Sequence, residues 1–235
     1  MDVRFRWVFF DLFDTLCTVD EKAYYEGKRL AAQTAGIRYE TFLAAWRATG
    51  ADASVGKIRD PFSRALAALE ACGVKDRSKA AQVADLDVET IRRCVSFYGG
   101  ATDALASLRG LGFKLGLISN ATATTAFVVQ PLHLRDRMDL LVFSYEVKAV
   151  KPDRAIFEVA LARAGCPASE ALFVGDGANR ELDGAAEMGL GTLCMDHPVK
   201  AESFRSRDGL SRPDHPRVAS FAELMARPDL QEPLQ

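Results

Sequence analysis

The chain opens with an apolar run, Val8-Phe9-Phe10, that leads straight into Asp11, and Leu12-Phe13-Asp14-Thr15-Leu16 follow. A short run that is apolar at every position, rather than at every second one, reads as a strand buried on both faces. Such strands belong to parallel sheets with helices on each side. A carboxylate at the end of one stands where open α/β sheets hold their ligands. The threonine four residues on is close enough to share that place.

The rest of the chain supplies the other strands and the helices. Short apolar runs recur at Phe113–Ile118, Leu140–Phe143, Ala171–Val174 and Gly191–Met195. Helical spacing separates them at Thr102–Leu111, Asp153–Ala164 and Arg180–Met188. Between the first strand and this alternating part lies a stretch of helical pattern alone. Glu21–Ala35 stops at Gly36. Tyr39–Ala48 carries Phe42, Leu43 and Trp46 on one face. Pro61–Ala71 starts with the residue suited to a first turn, and Val88–Phe97 completes the set. The fold expected is α/β, a Rossmann-like parallel-sheet core with helices on both faces plus an all-helical insert. The core takes 1–16 and 97–235, and the insert takes 17–96. Residues near 196–217, rich in Pro, His, Arg, Asp and Ser, read as a surface loop, with a last short strand and helix over Val218–Met225.

Composition narrows the partners. With 235 residues, 49% of them hydrophobic, the chain has enough apolar material for one core with an insert. A net charge of -2 gives no electrostatic footprint for nucleic acid or an anionic membrane, and no apolar run approaches the roughly 18 residues of a membrane span. The five cysteines, Cys17, Cys72, Cys94, Cys166 and Cys194, are scattered and show no metal-ligand spacing. They read as reduced thiols, and Cys17 as small apolar filling. The N-terminus enters a strand too soon for a signal peptide. The expectation is a cytoplasmic protein, monomeric or homodimeric, with a small-molecule substrate and no nucleic-acid or membrane partner.

Asp11, Ser119 and Asp176 each close an apolar strand, and Lys151-Pro152 lies between the second and third. Three polar strand ends in one crevice are hard to explain as turn caps. With these residues the chain resembles the haloacid dehalogenase superfamily of hydrolases. The four motifs of that family stand in order: Asp11 with Thr15, Ser119 in Leu117-Ile118-Ser119-Asn120, Lys151, and Gly175-Asp176-Gly177-Ala178-Asn179-Arg180-Glu181. The helical insert falls where the family places a cap domain. The resemblance implies that Asp11 is a nucleophile forming an aspartyl-phosphate. It implies that Thr15 orients the carboxylate or the phosphate and that Ser119 and Lys151 hold phosphate oxygens. It also implies Mg²⁺, bound by the Asp11 side chain, the Phe13 backbone carbonyl, Asp176 and Glu181. Asn120 and the cap residues Arg47, Lys57 and Arg59 are candidates to reach the substrate.

One departure matters. Where the family usually carries a second aspartate, the general acid/base, this chain has Phe13. That step is generally worth about 10²–10⁴-fold. The main expectation is a Mg²⁺-dependent phosphatase of a small phosphorylated metabolite whose leaving group departs without that acid. Asp14, a cap residue or water would stand in, although Asp14 reads more simply as a turn residue. The alternative is a metal-independent 2-haloacid dehalogenase, where an aromatic residue after the nucleophile is common, Asn120 would hold a carboxylate and Arg47 would receive halide. Phe157, in place of that branch's tyrosine, and the Gly175-Asp176 pair speak against it. Two further readings are a degenerate binding protein and a carbon–phosphorus hydrolase with Lys57 as its cap lysine.

Overall fold

In the computed structural model, residues 5–198 and 215–234 are described. Six parallel strands form one sheet in the order β5-β4-β1-β6-β7-β8. They are β1 (Trp7–Phe10), β4 (Lys114–Ser119), β5 (Leu140–Phe143), β6 (Ala171–Gly175), β7 (Gly191–Met195) and β8 (Arg217–Val218). The chain builds outward from β1 to β4 and β5, then returns to its other side for β6 to β8. β1 therefore sits at the point where the strand order reverses, the usual place for a ligand crevice. Its last residue, Phe10, is in register with Leu117 of β4 and Val174 of β6. The three strands accordingly end close together.

The alternation along β1 divides the core. Val8 and Phe10 face one apolar layer with Leu115, Leu117, Leu105 and Leu108. Trp7 and Phe9 face the other with Ile118, Ile156, Phe157 and Phe173. The first layer is covered by α6 (Ala101–Leu111) and α12 (Phe221–Met225), the second by α10 (Arg154–Ala164) and α11 (Glu181–Glu187). Phe157 is fully buried, edge-on to Phe173 at 5.6 Å between ring centres, an aromatic pair generally worth about 0.5–1.5 kcal/mol beyond its area. The remaining short helices are α7 (Ala126–Val129), α8 (Leu134–Arg137) and α9 (Ser144–Val147).

The insert is built from α1 (Glu21–Ala35), α2 (Tyr39–Ala48), α3 (Gly50–Ser54), α4 (Pro61–Ala71) and α5 (Arg77–Cys94). Asp20, Asp60 and Asp76 cap three of these by accepting from Ala23, Ser63 and Lys79 backbone N–H groups at 2.8 to 3.0 Å. Phe42, Trp46, Leu69 and Val83 pack in a separate apolar cluster.

Two sequence expectations are corrected. The last insert helix does not cover 88–97: it starts at Arg77 and ends at Cys94, and Val95–Phe97 is a strand, β3. The insert is also not wholly helical, because Cys17–Val19 forms β2 and pairs antiparallel with β3. The two chain crossings into the insert thus hold each other as a ribbon. Most of the expected 196–217 loop lies outside the described residues.

Candidate active site

Asp11 leaves β1 with its backbone N–H bonded to the Val174 carbonyl at 2.9 Å, so the sheet itself fixes where its carboxylate starts. Lys151 Nζ reaches Asp11 Oδ1 and Glu181 Oε2, each at 2.5 Å. All three side chains are buried. Lys151 is held from behind by Asn120, whose Oδ1 accepts from the Lys151 N–H at 2.7 Å and whose Nδ2 donates to the Lys151 carbonyl at 3.0 Å. Both ends of the amide are thereby committed to positioning the lysine, although Asn120 also borders the cavity above the site.

Asp176 follows β6 and accepts from the Ala178 N–H through Oδ1 at 2.9 Å. Glu181 begins α11, and its Oε1 lies 3.2 Å from the Gly177 N–H. Gly175 is what lets Glu181 in: a Cβ there would stand 2.2 Å from Glu181 Oε1. One carboxylate oxygen from each of Asp11, Asp176 and Glu181 lies within 4.8 Å of the others. The hydroxyls of Thr15 and Ser119 are buried and have no hydrogen-bond partner among the described residues.

Three acids against one lysine leave an electrostatic deficit. Burial pushes the Asp11 carboxyl up, Lys151 opposes this, and Asp176 adds to it. Glu181 is pushed up to about 8, first by burial, against the pull of Lys151 and with Asp11 and Asp176 adding. Burial works to lower Lys151, but the neighbouring Asp11 and Glu181 outweigh it and hold the ammonium charged. Cys17 is pushed up by burial and by Asp11, so it stays a protonated filler.

Phe13 is buried in the core layer, and its ring forms part of the wall of a cavity of about 210 Å³ between insert and sheet. Asp14 turns the other way. It sits at φ 60°, is buried, and its N–H bonds to the Cys17 carbonyl at 2.6 Å. Its carboxylate adds to the burial that pushes the Tyr98 hydroxyl up to about 12. It is a residue of the turn and does not line the cavity.

The cluster does not include Arg47, Lys57 or Arg59. Trp46 takes the inward position on α2, so the next residue around the helix faces out, and Arg47 donates to the Tyr25 hydroxyl at 3.1 Å. Lys57 is 71% exposed and pairs with Asp52 at 2.9 Å, and Arg59 is exposed. The cavity instead meets Tyr24, Arg64 and Asp87 of the insert, and Thr124 of the core. Sequence reading also passed over His197, whose Nε2 lies 2.9 Å from the Thr15 carbonyl and whose ring stacks on Tyr98 at 3.7 Å. No local pattern marks any of these. Helical spacing does put Asp87 and Ile91 on one face of α5, but only once that helix is known to start at Arg77.

The sequence model of the haloacid dehalogenase-like hydrolases matches residues 5–189, and the chain belongs to this family of hydrolases. A haloacid dehalogenase-like hydrolase domain-containing protein 3 of Danio rerio is 29% identical over 197 residues, 75% of this chain and 78% of the relative. A ribulose-1,5-bisphosphate 5-phosphatase of Halopiger xanaduensis is 31% identical over 115 residues, 48% of either chain. The chain thus matches about half the length of that second relative. Among solved structures, a 2-haloacid dehalogenase of Pseudomonas syringae superposes with a TM-score of 0.67 at 25% identity, covering 94% of this chain and 96% of that one.

Proposed function

We propose that this hydrolase is a Mg²⁺-dependent phosphatase that acts on a small phosphorylated metabolite through an aspartyl-phosphate on Asp11. The observation that carries the reading is the convergence of the Asp176 and Glu181 carboxylates on that of Asp11. Buried like charges raise one another's pKa and weaken a nucleophile unless a cation joins them. Hard carboxylate oxygens are the donors Mg²⁺ prefers. Asp11, Asp176, Glu181 and the Phe13 carbonyl would hold the ion. When bound, it supplies positive charge that offsets the phosphate's and the carboxylates'.

In this reading a carboxylate oxygen of Asp11 attacks phosphorus. The ester P–O bond breaks with its electron pair going to the leaving oxygen, which takes its proton from water. Water then attacks the phosphorus of the acyl phosphate, and the P–O bond to Asp11 breaks. Phosphate leaves, the Asp11 carboxylate returns, and the water's proton passes to solvent. The buried Thr15 and Ser119 hydroxyls would donate to phosphate oxygens, which accounts for groups that otherwise lack partners. Lys151 would screen the incoming charge.

The dehalogenase reading draws on Phe13 at the acid position. It leaves the acidic cluster unexplained, and Phe157 is spent on packing against Phe173. No helix among the described residues is long and apolar enough to cross a membrane, and none of the five cysteines forms a disulfide. Thiols of that kind suit a reducing compartment, and the proposal accordingly places a monomeric or homodimeric enzyme in the cytoplasm. An aryl phosphate assay with Mg²⁺ and with EDTA, beside a halide-release assay on chloropropionate, tests the reading. Expected are Mg²⁺-dependent phosphate release, its loss in Asp11→Asn, and no halide. Halide release without metal would establish the dehalogenase instead. Neither activity would leave a binding protein.

A further inference from the structure

Ser144 joins the insert to the core at a point away from the nucleophile. It begins α9 and is fully buried. Its hydroxyl accepts from the Ala121 N–H at 2.9 Å. Two backbone carbonyls compete for its proton, that of Ser54 on α3 at 2.7 Å and that of Ala121 at 3.0 Å. A hydroxyl has one proton to give. The shorter contact is the one across the junction, so with the insert seated the proton serves Ser54. A second observation marks the same seam. Gly56 holds φ 70°, and a Cβ there would stand 2.1 Å from the Tyr145 carbonyl oxygen. Backbone thus packs on backbone where Ser54 and Gly56 meet Ser144 and Tyr145, and a glycine is what admits the approach.

From this seam a run of hydrogen bonds leads to the reacting centre. Ala121 follows Asn120, which closes both ends of its amide on the Lys151 backbone at 2.7 and 3.0 Å. Lys151 in turn holds Asp11 and Glu181, each at 2.5 Å. Lifting the insert would take the Ser54 carbonyl away and leave the Ala121 carbonyl as the acceptor in reach. A buried polar group without a partner is costly, so the Ala121 peptide would be drawn onto Ser144 by its carbonyl as well as its N–H. Asn120, next along the chain, would shift with it, and Lys151 with Asn120.

We infer that Ser144 is a positioning residue: its single proton senses whether the insert is seated and passes that state through Ala121 and Asn120 to Lys151. Lys151 is then aligned on Asp11 only while the insert is seated. The consequence for turnover rests on the phosphatase reading, whereas the relay rests on the hydrogen bonds alone.

The test uses the full chain labelled with heavy nitrogen at asparagine. The chain has two asparagines, so the side-chain amide of Asn120 is one of two signals, and Asn120→Asp identifies it by its loss. Gly56→Ala forces the seam apart from the insert side and leaves Ser144, Asn120 and Lys151 in place. Gly56 lies outside the insert's apolar cluster, and a melting curve checks that the variant folds. Gly56→Ala should move the Asn120 signal of the otherwise native chain, and should move it no further when added to Ser144→Ala. On an aryl phosphate with Mg²⁺, each single variant should lower kcat by about tenfold to a hundredfold, the general cost of a small misplacement. The double variant should be no slower than the slower single. An Asn120 signal unmoved by Gly56→Ala, or moved equally with and without the Ser144 hydroxyl, overturns the inference. So do losses that multiply in the double variant. Should Gly56→Ala not fold, Ser144→Ala decides alone, and an unmoved Asn120 signal there overturns the relay. Absence of turnover in the native chain would sink only the phosphatase reading, because the Asn120 signal still decides the relay.

Discussion

Phe13 stands where the family usually carries a proton donor, and it lines the cavity between insert and sheet. In the phosphatase reading, a carboxylic acid introduced at that place would face the bond that breaks. Phe13→Asp should therefore raise kcat/KM on an alkyl phosphate by tenfold or more, out of the general 10²–10⁴-fold range. On an aryl phosphate, whose leaving group is already a stable anion, it should change little. An equal change on both esters would place the acid position elsewhere. Asp11, Ser119, Lys151 and Asp176 were all legible in the sequence, because each closes a strand or sits beside a proline and needs no distant contact to be recognised. His197 was not. Its contact with the Thr15 carbonyl spans 182 positions of chain, and the residue does not stand out from its neighbours in sequence. Arg47 misled because Trp46 claims the inward face of α2.

The insert helices α1, α2 and α4 were found to the residue and the core helices α6, α10 and α11 within one residue at either end, and the failures came where an element is polar or short. The first turns of α5 carry Arg, Ser, Lys and Gln, so its start at the Asp76 cap passed as loop, and β2 and β3 are too brief for a periodicity to form. Motif geometry at β6 and α11 was visible as Gly175-Asp176, but the reason for the glycine was not. It brings strand end and helix start within carboxylate contact. Gly175→Ala should push Glu181 away and weaken Mg²⁺ binding tenfold or more, as calorimetric titration would measure. Unchanged metal affinity would mean that Glu181 is not a ligand. The chain should still fold, since the added methyl meets a flexible side chain and the Phe173 ring edge rather than backbone.

For the molecule as a whole, the acidic cluster links metal, pH and stability. Glu181 has its carboxyl raised to about 8, against about 4.3 in an unfolded chain. A raised acid stabilises the fold fully below the unfolded value, and that contribution disappears as pH rises through the folded one. Without metal, the melting temperature should consequently fall between about pH 4.3 and pH 8. A ligand that binds only the folded form stabilises it by about 2.7 kcal/mol at one hundred times Kd. Mg²⁺ should accordingly raise the melting temperature more at pH 8 than at pH 5. Asp176→Asn should remove most of that gain. A melting curve indifferent to Mg²⁺ at every pH would count against the metal site.

The β2–β3 ribbon carries a further consequence. β2 opens just past Thr15, the Tyr98 N–H after β3 bonds to the Leu16 carbonyl at 2.9 Å, and the Tyr98 ring supports the histidine that holds the Thr15 carbonyl. The backbone that carries the insert is therefore the same backbone that places the buried Thr15 hydroxyl. In the phosphatase reading, placement of the helical roof and alignment of Thr15 on the phosphate are then one degree of freedom rather than two. An ester too bulky for the cavity would not simply bind less well: by lifting the roof it would turn Thr15 out of line, and the chemical step itself would slow.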